Sequence, residues 1–136
     1  MFVGKHSDLT EKIIGAFFEV YNELGYGFSE SVYENALLLE LEKEGLKAEH
    51  QIPIKVYYQG QVIGKYWADI LVNDAVILEL KAVRQILQEH EAQLLNYLKA
   101  TQYEVGLLLN FGPKAQHFRK IYDNNRKGSL KWVHSP

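Results

Sequence analysis

From Leu9 onward apolar residues return at helical spacing: Leu9, Ile13, Phe17, Val20 and Leu24, with Ile14, Phe18 and Tyr21 widening the stripe. A stripe that wide predicts a helix packed on more than one side. Ser7 or Asp8 can cap its start, Asp8 and Glu11 having capping-box spacing, and Gly25 can close it in a left-handed conformation. After the connector Tyr26-Gly27-Phe28, a second helix opens at Ser29 and runs to about Glu44, with Gly45 as its stop. Its buried face is Val32, Tyr33, Ala36, Leu37 and Leu41. The period then changes to two. Ile52, Ile54, Val56 and Tyr58 alternate with polar residues, and Pro53, which cannot donate to a ladder, places this strand at an edge. Gln59-Gly60 signals a turn, and Val62 to Val72 and Val76 to Ala82 complete a three-strand meander, with Gly64 marking a bulge or a close approach. Val83 to Gln88 leads to a third helix from about Glu89 to Ala100, whose apolar face is Ala92, Leu94, Leu95 and Leu98. Val105 to Phe111 is nearly continuously apolar, as in a strand buried on both faces. Gly112-Pro113 breaks it, Phe118 to Tyr122 can add a final short strand, and beyond Asp123 the chain reads as loosely ordered. A helix between the third and fourth strands permits a parallel return, so the class is α/β with a mixed sheet.

The stretch from Tyr66 to Ala82, YWADILVNDAVILELKA, carries charge where a structural strand would not. A carboxylate inside an apolar strand costs several kcal/mol of desolvation unless a partner satisfies it. Asn73-Asp74 suits a hairpin tip, because both residue types tolerate left-handed angles. With a two-residue loop Asp69 would face Leu78, and Glu79 would point to the other side of the sheet. With a three-residue loop Val72 faces Val76, and Asp69 lies across from Glu79 with β-carbons about 5 Å apart. Lys81 then shares the face of Glu79. Two bare carboxylates that close require a cation, and we adopt the second register on that ground. The competing reading is a solvated strand face with an incidental Lys-Glu pair.

On the third helix His90, Gln93 and Tyr97 form a second, polar stripe that can reach this patch from the edge of the sheet; equally, His90 and Gln93 suit surface positions and Tyr97 a half-buried flank. Glu30 sits in the first turn of the second helix, where the helix dipole already favours a negative charge.

With 136 residues the chain suits one domain, 1–136, with a core of about 8–125 and a basic tail over 126–136. It has no cysteine, hence no disulfide framework and no thiolate metal site. The lack of cysteine fits a reducing cytosol, and the chain shows neither a signal-peptide core nor an apolar run long enough for a bilayer. The formal net charge of −2 argues against a dedicated high-affinity nucleic-acid binder. The charge is uneven, however: after Val105 the basic residues Lys114, Arg119, Lys120, Arg126, Lys127 and Lys131 meet one acid, Asp123. That end reads either as a phosphate-contacting surface or as a solvated tail. The scattered histidines make no HExxH pair for zinc, and no phosphate loop, GxGxxG or GxSxG elbow occurs.

Three signatures fall in order along the chain. Gly27-Phe28-Ser29-Glu30-Ser31-Val32-Tyr33 matches GxxExxY; Asp69 followed by Glu79-Leu80-Lys81 matches D…ExK; Gln93-Leu94-Leu95-Asn96-Tyr97 matches QxxxY. Over roughly Asp8 to Asn125 the chain resembles the GxxExxY protein family, within the RecB-like QxxxY branch of the PD-(D/E)xK nuclease superfamily. One departure is Ala68, where the superfamily pattern has proline before the aspartate. The resemblance implies a restriction-endonuclease-like fold, a mixed four-stranded sheet with an αβββαβ core, here with an extra N-terminal helix. It implies a Mg²⁺- or Mn²⁺-dependent phosphodiesterase, a nuclease acting on DNA or RNA. Asp69, Glu79, the Leu80 carbonyl and Glu30 would hold the metal; Asp69, Glu79, Lys81, Gln93 and Tyr97 would be catalytic. His90, Lys114, Arg119 and Lys120 are candidate phosphate contacts, and a homodimer or partner protein would supply the grip that one small domain lacks. The alternative is a non-catalytic nucleic-acid- or protein-binding module that keeps the nuclease fold. A third option is hydrolysis of a small nucleotide or another phosphoester.

Overall fold

The computed structural model describes residues 4–133. The chain forms α1 (Ser7–Leu24), α2 (Glu30–Lys43), β1 (Ala48–Tyr58), β2 (Gln61–Val72), β3 (Val76–Lys81), α3 (Gln88–Lys99), β4 (Val105–Phe111) and β5 (Ala115–Ile121), then two short 3₁₀ turns. The strands lie in the order β1-β2-β3-β4-β5. Neighbours are antiparallel except β3 and β4, which α3 joins as a parallel crossover pair. These two central strands are the most apolar of the chain because both of their faces are covered.

On one face α1 and α2 pack over Ile70, Val72, Leu78, Leu80, Leu107 and Leu109. Phe111 ends β4 between two aromatic partners, stacked on Tyr33 at 4.3 Å and edge-on to Phe17 at 4.8 Å. The other face carries α3, whose Leu94, Tyr97 and Leu98 meet Leu71, Ile77 and Leu108. Gly106 permits this approach: a β-carbon there would stand 2.7 Å from Leu94 Cδ1. The helix therefore sits close enough for Tyr97, one turn further on, to reach the middle of the sheet. Among the described residues no helix is long and apolar enough to cross a membrane.

Several expectations change. The sheet has five strands, not four, because β5 begins at Ala115 and pairs with β4 over its whole length. Its sequence, AQHFRKI, is half-buried on both sides and so lacks the alternation that would announce a strand. Neither Ser7 nor Asp8 caps α1; His6 holds the N-cap position with φ 54°, and no side chain bonds the exposed amides. Gly25 and Gly45 do end α1 and α2 at positive φ, 69° and 78°. Pro53 lies on an edge strand, and the β1–β2 register shifts between Val56 and Tyr57, beside Gly64.

The expected loose tail is also corrected as far as Val133; residues 134–136 lie outside the described residues. Lys127 is fully buried, and its ammonium donates to the carbonyls of Thr101 and Tyr103 and to Asn124 Oδ1 at 2.7–2.9 Å. Trp132 bonds the Lys99 carbonyl through Nε1, and its own carbonyl accepts the Tyr57 N–H at 2.8 Å. The segment that looked like a solvated basic end thus closes over the end of α3 and fastens β1 to it. Lys127→Ala strips three part-buried acceptors of their donor. It is expected to lower stability by about 2–4 kcal/mol, read from the urea midpoint, whereas Lys131→Ala, at an exposed position, changes it by less than about 0.5 kcal/mol.

Candidate active site

Strands β2 and β3 pair as Val72↔Val76, Leu71↔Ile77 and Ile70↔Leu78. This is the register of the three-residue loop, with Asn73 and Asp74 both at φ 52°. At the next step, Asp69 and Glu79, side chains take over from the ladder. The Asp69 N–H donates to Glu79 Oε1 at 3.2 Å, and the Leu80 N–H donates to Asp69 Oδ2 at 2.8 Å. Beyond this point β2 runs on beside β1 as far as the turn at Gln59-Gly60, while β3 runs on beside β4. The two strands part, and the carboxylates span the gap between them.

Glu79 is 4% exposed and Asp69 half-buried. Burial pushes Glu79 up to about 8, with the neighbouring Asp69 charge adding to it; the Asp69 N–H and Lys81 pull the other way. Burial likewise pushes Asp69 up to about 6, against the Leu80 N–H and Lys81, with the charges of Glu34 and Glu30 adding to the rise. At neutral pH the pair therefore keeps a proton, carried mainly on Glu79. Each carboxylate has one oxygen on a backbone amide, which leaves Asp69 Oδ1 and Glu79 Oε2 without a hydrogen bond among the described residues. Two free, hard oxygens in a site that resists holding two negative charges are a fitting start for a divalent cation.

Tyr97 is buried, and its hydroxyl is pushed up to about 12, first by burial and then by the Glu79 and Asp69 charges; a hydrogen bond from Gln93 works against this. It is therefore an O–H donor beside the carboxylates at any working pH, not a base. Gln93 and Tyr97 stand one helical turn apart and act on each other, as the polar stripe of α3 required.

The approach from α2 is looser. Glu30 is exposed, and it acts on both carboxylates through charge. Among the described residues no group of three or more His, Asp or Glu side chains is compact enough to hold a metal, and Glu30 meets the pair through charge. The rest of its signature is architectural. The Tyr33 hydroxyl donates to the Gly25 carbonyl at 2.5 Å and accepts the Phe28 N–H at 3.2 Å, and Gly27 between them needs φ 127°. Tyr33 thus pins the connector that delivers Glu30, without reaching the site.

The candidate phosphate contacts are not gathered round the carboxylates. His90 Nδ1 accepts the Leu87 N–H at 2.9 Å and so closes the start of α3. Lys120 pairs with Glu91 at 2.5 Å, Arg119 donates to the Lys5 carbonyl, and Lys114 stands exposed in the β4–β5 turn. Two residues not singled out in the sequence do matter. Glu34, which acts on Asp69, accepts from Gln51 Nε2 at 3.2 Å. Asn110, fully buried on β4, bonds both the N–H and the carbonyl of Val83, at 3.0 and 2.9 Å, and so fixes the chain just after Lys81. A lone amide in an otherwise apolar run was the available signal for Asn110; Glu34 had none, since α2 carries several glutamates.

A mixed α/β sheet with a crossover helix, and two acids meeting where its strands part, is a nuclease-type arrangement. The model of the PD-(D/E)XK nuclease superfamily matches residues 7–121, and the chain belongs to that superfamily. Its members generally use divalent metals such as Mg²⁺. The crystal structure of SSO0001 has a similar fold, with a TM-score of 0.54 and 20% identity over 93% of this chain. This chain spans 63% of that one, and at such identity the likeness is one of fold. No curated protein matches.

Both carboxylates titrate higher in the folded chain than in the unfolded one, so the folded state holds protons that the unfolded state has released. Their contribution is favourable below about pH 4 and is lost as pH rises towards about 8. In metal-free buffer stability is expected to fall across this window. Glu79→Gln, which keeps an oxygen for the Asp69 amide, is expected to flatten the decline and gain about 1–3 kcal/mol at pH 8, measured by urea unfolding in EDTA.

Proposed function

We propose that this chain is a metal-dependent phosphodiesterase, a nuclease of the GxxExxY family within the QxxxY branch, using Mg²⁺ or Mn²⁺. The carrying observation is the Asp69–Glu79 pair, two acids brought together in a buried site that prefers them not to ionise together. Asp69, Glu79 and the Leu80 carbonyl would hold the ion, with Glu30 and Glu34 acting from outside, through water or charge. A bound divalent ion would supply positive charge at the scissile phosphate and a more acidic water. Lys81, on the Glu79 side of β3, would hold that water or offset the developing negative charge. Tyr97, kept protonated, would donate its O–H to a phosphate oxygen, with Gln93 fixing the hydroxyl. Asn110 sets the direction of the strand end that carries Lys81.

A second reading has its own support. The net charge of −2, the absence of a compact third acid among the described residues, and the engagement of Lys120 and Arg119 elsewhere suit a binding module that keeps the fold without its chemistry. The two readings separate on one assay. With Mn²⁺ and a mixture of single- and double-stranded DNA and RNA, the nuclease reading expects cleavage. Asp69→Asn, Glu79→Gln and Lys81→Ala should each reduce it about 100-fold or more, and Tyr97→Phe about 10- to 100-fold. Cleavage that persists in the Asp69→Asn and Lys81→Ala proteins would come from a contaminant and end the nuclease reading. Mn²⁺ binding by calorimetry without cleavage would favour the module.

A further inference from the structure

The parting of the strands leaves β1 and β2 as a two-stranded ribbon that projects past the site. Between Ile52 and Ala68 the ribbon has no acidic residue and carries Lys55 and Lys65, in a chain whose net charge is −2. These lysines are exposed and lie directly opposite each other across the ribbon. Like charges in that position repel, so the pairing favours an anion between or above them. Lys65 also stands over the Trp67 ring, 5.0 Å from its centroid. Trp67 is 49% exposed, although a tryptophan gains much from burial. Side chains alternate along a strand, so Lys65 and Trp67 share one side of β2. From Trp67 to Asp69 is about 7 Å, or about two nucleotide steps of a stacked strand. On the opposite side Tyr66 leans on Tyr97, its ring centroid 5.7 Å away, which ties the ribbon to the candidate site.

We propose that the outer face of this ribbon, through Trp67, Lys65 and Lys55, binds single-stranded nucleic acid and leads it to the carboxylates. An exposed ring flanked by ammonium groups offers a base a face to stack on and offers its phosphates their counter-charge. In a duplex the base faces are already covered, so the ring has little to gain there. The idea rests on the phosphodiesterase reading for where the strand leads, but binding can be measured with the chemistry switched off.

In the Asp69→Asn protein, in metal-free buffer, fluorescence anisotropy of a labelled single strand of about a dozen nucleotides should show binding at least about tenfold tighter than for the matching duplex. Adding Trp67→Ala should weaken it roughly five- to a hundredfold, and Trp67→Phe should restore most of the loss. Lys65→Glu should weaken it and flatten its salt dependence. Equal affinity for the duplex, no binding of the single strand, or a Trp67→Ala protein that binds unchanged would each overturn the proposal. So would light scattering in which Trp67→Ala dissolves a dimer, since the ribbon would then cover a second copy. The phosphodiesterase reading fails separately, when Trp67-dependent binding holds but cleavage ignores Asp69→Asn and Glu79→Gln.

Discussion

The structure turns on the point where β2 leaves β3. A ladder that ends inside a protein strands its amides, and an unsatisfied buried N–H costs about 1–3 kcal/mol. Here the Asp69 and Leu80 amides are satisfied by carboxylate oxygens from the two strands. An amide side chain could accept the same bonds with no ionisation penalty, whereas burying a carboxylate costs several kcal/mol before any partner repays it. Hydrogen bonding thus explains why polar side chains stand at 69 and 79, and leaves unexplained why both are acids. The surplus charge is a cost to the metal-free fold, visible in the upward shift of both groups. Costs of this kind collect where a protein binds or reacts.

The surroundings hold that point in place through contacts that look unrelated. Gly106 removes the β-carbon that would push α3 away from β4, which brings Tyr97 over the acids. Tyr33 satisfies two backbone groups in the connector and stacks on Phe111, so the start of α2 and the end of β4 share one anchor. Asn110 binds the segment after Lys81 through both Val83 backbone groups. Three separate elements thereby fix three candidate groups, Tyr97, Glu30 and Lys81, on a frame whose own rigidity comes from buried apolar packing.

Periodicity made most of this frame legible. Helical stripes and alternating runs placed the three helices and the first four strands, and β4 came out with its observed ends because a doubly covered strand writes an unbroken apolar run. The hairpin register was legible for a different reason: only one of its two alternatives brought unlike demands, Asp69, Glu79 and Lys81, to one face. What stayed hidden depends on long-range contacts. The half-buried β5 strand has no clean period. His90 turns inward to its own helix start, Glu34 acts on Asp69 from another layer, and Lys127 is buried by carbonyls that lie far away in sequence. A lysine in a basic run carries no local sign that it will be enclosed.

That enclosed lysine bears on the site through the ribbon. A two-stranded ribbon is marginal by itself in water, and beyond Asp69 this one no longer shares the ladder of β3. Its inner face is held instead by α3, where Ile54 and Ala68 join Leu94, Tyr97 and Leu98. Its far end is held by the Tyr57 bond to the Trp132 carbonyl. Trp132 in turn depends on the end of α3, and Lys127 gathers the carbonyls of Thr101 and Tyr103 just beyond it. The C-terminal segment therefore works as a strap. By fastening the ribbon's inner face it leaves the outer face, with its lysines and Trp67, as the side turned to solvent. The basic end of the sequence thus sets the posture of the strand pair through the end of α3.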